Sequence, residues 1–268
     1  MELFDSHSHY NDEKFDNDRE KVIKQVYDSG VTRLVCAGYN IESSKKAIKI
    51  AKEYNFIYSI VGISPNDIPN KSQLNEKKFN YEEELNLQLK QIKKLANNKK
   101  VVAIGEIGLD YYWNKENKNE QKLAFYKQIE LANELNLPIV IHSRDAIFDT
   151  IDLLKNKISA NKKGIIHCCQ LNLDLIRECL KLGFYISFAG PITFKNSKNA
   201  VEAIKEVPLD RILIETDSPY LSPEPIRGTR NDSRNVIYMA KKIAEVKSKT
   251  LEEIAKITYK NANTIFEI

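Results

Sequence analysis

Short apolar runs rich in valine and isoleucine alternate with longer amphipathic segments along this chain of 268 residues. This alternation is typical of parallel strands that are joined by crossover helices. The apolar runs number eight, and they predict strands over residues 2–7, 32–38, 56–63, 101–107, 138–142, 164–167, 184–188 and 211–215. The amphipathic segments predict helices over residues 18–28, 41–54, 81–96, 120–135, 146–155, 173–182, 235–245 and 251–258.

Residues at the ends of several helices support these boundaries. Asn17 is a candidate amino-terminal cap of the first helix, and Gly30 and Gly183 lie just past the ends of two helices. The polar stretch 65–80 follows the third strand and has no strand or helix pattern. It predicts a loop over the reactive face of the fold.

Eight strands in a chain of this length predict an α/β fold with one domain over residues 1–268, a single (β/α)8 TIM barrel. The reactive groups of such a barrel lie at the carboxyl ends of its strands. The competing architecture is a doubly wound open sheet, which would be expected to carry a glycine-rich phosphate turn after its first strand. Here the first strand ends in His7-Ser8-His9 instead, and this favours the barrel.

The composition argues against a membrane-spanning protein and does not identify a binding partner. The 41 basic and 37 acidic residues are interspersed and leave a net charge of +4, which permits a polyanionic partner but does not require one. No apolar run approaches the roughly 20 residues that cross a bilayer. We therefore expect a cytoplasmic protein with reduced cysteines and no membrane partner, and we take a monomer as the working assumption for its oligomeric state.

The four histidines of the chain are His7, His9, His142 and His167, and each falls at or just beyond the carboxyl end of a predicted strand. Strand alternation would place Asp5, His7 and His9 on one face. Taken alone, this first strand is equally compatible with two solvated histidines. A lone histidine is more often a hydrogen-bonded core residue than a ligand, but four of them at one barrel mouth favour a metal site.

Two carboxylates occupy equivalent places, Glu106 in the fourth strand and Asp217 after the eighth. Barrel closure would bring both to the histidines, and six ligands are enough for two metal ions. Glu106 is the candidate bridge, because a carboxylate can hold two ions where an imidazole cannot. The alternative for Glu106 is an ion pair with a basic neighbour, and the alternative for Asp217 is an Asx-type turn or helix cap before Pro219.

Mixed imidazole and carboxylate ligands favour zinc, manganese, cobalt or iron over calcium, and they leave magnesium open because it can be supplied in excess. Two divalent ions bring four positive charges, of which Glu106 and Asp217 remove two. A bridging hydroxide would still leave the centre cationic. We therefore expect an anionic substrate and an anionic transition state.

Five residues outside the ligand set are candidates for substrate binding, namely Ser64 after the third strand and four others. Arg144 lies two residues beyond the fifth-strand histidine, on the same face, where its guanidinium can hold a phosphate. Arg227 and Arg230 lie beside a glycine in a proline-stiffened loop that suits anion capture, although exposed arginines more often pair with local acids. Trp113 follows the fourth strand and can stack a nucleobase, with packing inside its own loop as the alternative.

Five motifs contain the candidate ligands, and a basic loop follows the last of them. They are Asp5-Ser6-His7-Ser8-His9, Gly105-Glu106-Ile107-Gly108-Leu109-Asp110-Tyr111, Ile141-His142-Ser143-Arg144, His167-Cys168 and Glu215-Thr216-Asp217-Ser218-Pro219-Tyr220-Leu221, followed by Arg227-Gly228 and Arg230-Asn231. In this order and over nearly the whole chain, the motifs resemble the TatD family of metal-dependent deoxyribonucleases.

The resemblance implies a TIM barrel of the amidohydrolase-like type, a divalent metal centre, and hydrolysis of phosphodiesters, often from the 3' end of DNA. By position, it implies that one metal is bound by His7 and His9 and the other by His142 and His167. It further implies that Glu106 bridges the two metals and that Asp217 is a ligand that orients the attacking water. These assignments agree with the charge count made from the residues.

The chain departs from the family pattern in two loops. It has Gly62-Ile63-Ser64-Pro65 where the family usually has Gly-Ile-His-Pro, and His167-Cys168-Cys169-Gln170-Leu171 where the family usually has His-Cys-Phe-Ser-Gly. The metal ligands survive both changes. Ser64 can donate a hydrogen bond to a substrate but cannot shuttle a proton near neutral pH, so we expect substrate preference to differ here.

The leading hypothesis is a metal-dependent phosphodiesterase that hydrolyses DNA, a 3'-5' exodeoxyribonuclease that uses a metal-activated water at a binuclear site. Glu106 and Asp217 would be its catalytic residues, and its partner would be single-stranded DNA or a 3' end. The nearest alternative is a hydrolase of the same fold that cleaves an ester or amide, in aminoacyl-tRNA or a small molecule. A binding module without catalysis is a third interpretation, which would not require six ligands.

Overall fold

The computed structural model describes residues 1–69, 80–157 and 159–268 of the chain. Its eight strands form one parallel sheet and follow one another in sheet order. They are β1 Leu3–Ser8, β2 Val31–Ala37, β3 Ile57–Val61, β4 Val101–Asp110, β5 Ile139–Arg144, β6 Ile165–Ile166, β7 Tyr185–Phe188 and β8 Ile212–Ile214.

The sheet nearly closes where its first and last strands meet. The backbone N–H of Asp217 donates to the carbonyl of His7 at 3.0 Å, and the N–H of His9 donates to the carbonyl of Ser218 at 2.7 Å. These bonds join the carboxyl end of β1 to the segment that follows β8. The prediction of a (β/α)8 barrel is therefore confirmed.

The described ranges contain nine α-helices, which alternate with the strands and then close the chain. They are α1 Arg19–Asp28, α2 Ile41–Glu53, α3 Tyr81–Ala96, α4 Lys118–Leu135, α5 Ile147–Asp152, α6 Leu173–Lys181, α7 Ala200–Glu206, α8 Val236–Lys247 and α9 Leu251–Phe266. The sequence did not predict α7, because only Ala200, Ala203 and Ile204 form its buried stripe and two of these are small. Helix α9 also runs well past its predicted end at residue 258.

The predicted cap of α1 is wrong, whereas both glycine stops are confirmed. The residue before α1 is Asp18, not Asn17, and the Asp18 carboxylate makes no capping hydrogen bond because it pairs with Arg230. Gly30 and Gly183 follow their helices with φ of 98° and 87°. A left-handed backbone of this kind suits glycine, which has no Cβ to clash.

Two apolar layers hold the barrel together. The larger layer lies between the strands and the surrounding helices, and the smaller one takes side chains from all eight strands, among them Phe4, Tyr185 and Leu213. Ile265 and Phe266 of α9 join this inner cluster, and the ring of Phe266 stacks on that of Phe4 with 6.0 Å between centroids. The end of α9 therefore closes the amino-terminal end of the barrel, and the polar motifs are left at the other end.

Residues 70–79 of the predicted loop over the reactive face lie outside the described residues. The described part of that loop includes Asn66 and Asp67, which line the cleft at the carboxyl ends of the strands. All four cysteines are free thiols. Across the described residues, we find no helix with the length and apolar character that a membrane span needs.

Candidate metal centre

A cleft of about 860 Å³ opens at the carboxyl ends of the strands. Five of the six candidate ligands line it, together with Ser64, Trp113 and Arg144. The sixth ligand, His7, lies beneath the cleft and is fully buried. The structure thus brings together all six predicted ligands and three of the five predicted substrate contacts.

Strand ends fix the position of every candidate ligand. His7, Glu106 and His142 lie within β1, β4 and β5, and His9, His167 and Asp217 follow β1, β6 and β8. Close contact between β4 and β5 helps to bring Glu106 to His142. A Cβ atom at Gly108 would lie 2.0 Å from the carbonyl oxygen of His142, so only glycine permits this approach.

The carboxylate of Glu106 lies between two pairs of imidazoles. Its Oε2 is 3.6 Å from Nε2 of His7 and 3.8 Å from Nε2 of His9. Its Oε1 is 3.1 Å from Nδ1 of His142 and 3.3 Å from Nε2 of His167. Each oxygen therefore faces one pair, and a carboxylate that joins two ions needs this arrangement.

Asp217 completes the group around His7 and His9. Its Oδ1 is 3.2 Å from Nε2 of His9 and 3.8 Å from Nε2 of His7. The backbone of Asp217 is left-handed, with φ of 54°, and its carbonyl accepts from the N–H of Tyr220 in a turn. The turn that the sequence suggested is therefore made by the backbone, and the side chain stays directed to the histidines.

Two histidines have acceptors for the ring nitrogen that faces away from the cluster. Nδ1 of His9 is 3.1 Å from the carbonyl oxygen of Ala37, and Nε2 of His142 is 3.0 Å from Oδ2 of Asp110. Partners of this kind fix the orientation and tautomer of a metal-binding imidazole. Sequence reasoning missed Asp110, although its position four residues after Glu106 keeps it on the same strand face.

Glu215 is the second functional candidate that sequence reasoning missed. It is fully buried, its Oε1 accepts from the backbone N–H of Cys168 at 2.6 Å, and the same oxygen is 3.4 Å from Nδ1 of His167. The available signal was its position two residues before Asp217. In the sequence it stands only as part of a motif.

Burial and charge shift the pKa values of the cluster in opposite directions. Burial alone would raise the pKa of Glu106, but the charge of His167 and hydrogen bonds from His142 and His167 hold it well below its usual range. Burial alone would lower the pKa of His167, but Glu106 raises it well above its usual range. The carboxylates thus require positive charge beside them, which imidazolium or a metal ion can supply.

The donor set fits divalent metal ions. Ligand atoms of His7, His9 and Asp217 lie within 4.8 Å of one another, and so do those of His7, Glu106 and His167. Nitrogen and carboxylate donors together suit zinc or manganese and tolerate magnesium. Nδ1 of His7 and Nδ1 of His167, which face away from Glu106, are buried without a hydrogen-bond partner, although buried polar atoms normally have one.

Asp5 does not share the position of the histidines, contrary to the expectation from strand alternation. Its carboxylate accepts from the N–H and hydroxyl of Thr216 at 2.9 and 2.5 Å and from the hydroxyl of Ser233 at 2.5 Å. The pairing of β1 with β2 shifts register between Asp5 and Ser8. This irregularity breaks the simple alternation that the prediction assumed.

An aromatic and cationic surface forms one rim of the cleft. Trp113 is 65% exposed, and the guanidinium of Arg144 lies 3.9 Å from the ring centroid of Tyr112 and 5.5 Å from that of Trp113. Oδ1 of Asp110 accepts from the N–H groups of Tyr112 and Trp113, each at 3.0 Å. Asp110 therefore connects this rim to the histidine cluster.

Ser64 lies at the cleft but its hydroxyl is occupied. The hydroxyl donates to Oδ2 of Asp67 at 2.7 Å and accepts from the N–H of Asn66 at 3.2 Å. The other departures from the family pattern, at Cys169, Gln170 and Leu171, also line the cleft. All of these changes therefore lie where a substrate would bind.

Arg227 and Arg230, which were also predicted to contact substrate, are not among the described residues that line the cleft. Arg230 forms a two-pronged ion pair with Asp18, with N–O distances of 2.8 and 2.6 Å. The guanidinium of Arg227 lies over the ring of Phe194, 4.1 Å from its centroid. Arg230 thus has the local acidic partner that was the alternative to substrate binding, and a substrate role for either arginine stays a prediction.

The charge count made from the ligands alone needs a correction. Asp110 and Glu215 are 1% and 0% exposed and lie against His142 and His167. Together with Glu106 and Asp217 they bring four negative charges, which would balance two divalent ions. Positive charge for an anionic substrate must then come mainly from the rim, where Arg144 lies.

Comparison with known proteins gives one consistent family. The family model described as TatD related DNase matches residues 4–267. The metal-dependent hydrolase YabD of Bacillus subtilis is 46% identical over 266 residues, which is 99% of each chain. The 3'-5' ssDNA/RNA exonuclease TatD of Salmonella typhimurium is 30% identical over 271 residues, again 99% of each chain.

A solved structure shows the same fold. The crystal structure of YJJV, a TatD homolog from Escherichia coli K12, matches with a TM-score of 0.88 at 24% sequence identity. The match covers 99% of this chain and 98% of that chain. The barrel and its order of strands and helices therefore agree with an experimental structure over almost their full length.

Proposed function

This chain belongs to the TatD-related DNase family of metal-dependent hydrolases, and we propose that it hydrolyses phosphodiester bonds of single-stranded DNA from the 3' end at a binuclear metal site. One relative carries the name 3'-5' ssDNA/RNA exonuclease, and it is 30% identical over nearly the full length. RNA is therefore included as a substrate to be tested beside DNA.

The position of Glu106 is the observation that supports this function best. One carboxylate oxygen faces His7 and His9, and the other faces His142 and His167, at distances of 3.1 to 3.8 Å. A site for a single ion has no need of two imidazole pairs on opposite oxygens of one carboxylate. Paired ions about 3.5–4 Å apart recur in enzymes that cleave phosphodiesters.

The six candidate ligands would have two kinds of role in hydrolysis, metal binding and proton transfer. His7 and His9 would hold one ion, His142 and His167 the other, and Glu106 both. Bound divalent ions supply an activated water and neutralise charge on the phosphate. Asp217, whose side chain is 16% exposed at the cleft, orients the attacking water and accepts its proton at the carboxylate.

The rim of the cleft suits a nucleotide chain. Arg144 has no acidic partner among the residues that the structure describes, so its guanidinium can hold a phosphate beside the ions. The ring of Trp113 is 65% exposed and offers a face on which an unpaired base can stack. Bases within a duplex are already stacked and paired, so this surface favours a single strand.

The direct test measures nucleotide release from defined oligonucleotides. Purified protein is loaded with zinc, manganese or magnesium in separate samples and incubated with single-stranded DNA or RNA that is labelled at either end. We expect release of single nucleotides from the 3' end that stops when a chelator is added. The matched control is Asp217→Asn, which keeps the shape of the site but cannot accept the proton.

Other outcomes would contradict the proposal. Nucleotide release by Asp217→Asn at the wild-type rate would indicate a contaminating nuclease. If no oligonucleotide is cleaved with any of the three metals but an aminoacyl ester or amide is hydrolysed, the ester and amide hydrolase is correct instead. If no bond is cleaved while nucleic acid binds, the chain is a binding protein.

A further inference from the structure

Glu215 is a fully buried carboxylate with one oxygen unused. Its Oε1 accepts from the backbone N–H of Cys168 at 2.6 Å, whereas its Oε2 has no hydrogen-bond partner. Burying a carboxylate oxygen without a donor is unfavourable, and native structures rarely tolerate it without a functional reason. A hydrogen-bond donor that faces Oε2 of Glu215 only when metal ions are bound would explain why this oxygen is buried.

The outward ring nitrogens of the histidines supply such donors. An imidazole that binds a metal through one nitrogen carries its proton on the other, and that proton needs an acceptor. His9 has the carbonyl of Ala37 and His142 has Asp110, at 3.1 and 3.0 Å. Nδ1 of His7 and of His167 are the two that are buried without a partner.

The rings of His7 and His167 are arranged as a pair. They stack with 4.0 Å between centroids and 16° between planes, and both direct Nε2 to the carboxylate of Glu106. Nδ1 of His167 is 3.4 Å from Oε1 of Glu215. His7 is parallel to that ring and stacks on it, so we take the unused Oε2 of Glu215 as the candidate acceptor for its Nδ1, which the carboxylate would reach by a shift from its present position.

We propose that Glu215 is a positioning residue that accepts the Nδ1 protons of both His7 and His167 when the ions are bound. This inference rests on the binuclear site of the proposed function. The two histidines belong to different ions, so Glu215 would orient one ligand of each from the side opposite Glu106. Two carboxylates, Glu106 and Glu215, would then fix the position of His7 relative to His167.

The test uses Glu215→Gln and follows the imidazole protons directly. The amide keeps one oxygen for the N–H of Cys168, but its NH2 group cannot accept a second proton. The matched control is Asp110→Asn, the same acid-to-amide change against His142 alone. Because the chain has only four histidines, zinc-loaded protein labelled with 15N-histidine should give four ring N–H signals, which single-histidine variants assign.

We expect Glu215→Gln to shift the Nδ1–H signals of His7 and His167, or to remove them by exchange with water, and to leave that of His9 unchanged. Asp110→Asn should change only the signal of His142. The Kd for zinc should rise about 10- to 100-fold in Glu215→Gln. The zinc-induced rise in Tm should shrink accordingly, because metal binding stabilises the folded state by mass action.

Two results would overturn the inference alone. One is a Glu215→Gln protein with wild-type signals and a wild-type Kd for zinc. The other is an equal loss of Tm with and without zinc, which a merely structural role would give. If Glu215→Gln does not fold, Glu215→Asp takes its place, since it keeps the charge but withdraws both oxygens. Failure of the wild-type protein to bind two zinc ions would instead overturn the binuclear site itself.

Discussion

The two ends of the barrel are built from the same eight strands but hold opposite kinds of side chains. At the amino-terminal end, Phe4 and Leu213 pack with Ile265 and Phe266 of α9 and exclude water. At the carboxyl end, the strands finish in histidines and carboxylates around an open cleft. The comparison separates the part of the molecule that stabilises the fold from the part that would carry chemistry.

The carboxyl end also contains features that oppose folding. Cys168 and Asp217 have left-handed backbones, with φ of 41° and 54°, and three ring or carboxylate atoms of the site are buried without a partner. Non-glycine residues are uncommon in this conformation, and unpaired buried polar atoms cost stability. Such features persist where the surrounding structure enforces them and function requires them.

The largest effect on function should come from Glu106→Gln at the carboxyl end. The amide cannot present two anionic oxygens, so we expect fewer than two metal ions per chain and a loss of activity greater than about 1,000-fold, beyond the 10²- to 10³-fold cost of removing one transition-state donor. Metal content is measured by mass spectrometry of the dialysed protein. Retention of two ions would show that Glu106 is not the bridge.

The largest effect on stability should come from Phe266→Ala at the amino-terminal end. Phe266 is 3% exposed and stacks on Phe4, so its loss leaves a cavity that should lower the free energy of unfolding by about 3–5 kcal/mol. Denaturant unfolding measures this value. The metal content and the kcat of the folded variant should match the wild type, and a change in either would mean that the two ends are coupled.

Trp113→Ala should have a smaller effect, confined to substrate binding. Stacking of one base on an aromatic ring contributes roughly 1–3 kcal/mol, so KM for single-stranded DNA should rise by about tenfold or more while metal content stays constant. Tyr112→Ala serves as the neighbouring aromatic control. An unchanged KM in Trp113→Ala would show that the tryptophan only packs within its loop.

The convergence of the candidate ligands could be predicted from the sequence because two regular patterns determine their positions. Hydrophobic periodicity locates the strand ends, and barrel closure brings those ends together, so His7, His142 and Glu106 required no knowledge of loop structure. Helix α7 escaped prediction because alanines give a weak apolar stripe. The compartment, the oligomeric state and the single-domain organisation stay predictions.

The roles of Asp110, Asp5 and Glu215 could not be predicted from the sequence, because tertiary contacts decide which groups their carboxylates meet. Strand β4 continues to pair with β5 as far as Asp110, opposite Arg144, whereas the apolar run stops earlier and so did the predicted strand. Strand alternation places Asp5 in the wrong group because a register shift in β1 breaks that alternation. The role proposed for Glu215 rests on buried atoms without hydrogen-bond partners, which the sequence cannot show.

The smallest effect should come from Arg230→Gln, and it tests how far the rim extends. Because the Arg230 guanidinium is already paired with Asp18, its loss should leave KM for single-stranded DNA within about twofold and lower stability by roughly 0.2–1 kcal/mol, as for an exposed ion pair. Arg144→Gln is the matched substitution inside the cleft, and it should raise KM more strongly. This increase in KM should be smaller at high salt, because salt screens the charge that Arg144 contributes to wild-type binding. Equal increases in KM for the two variants would mean that nucleic acid draws Arg230 away from Asp18. In that case the rim would include the basic loop after β8, as the sequence predicted.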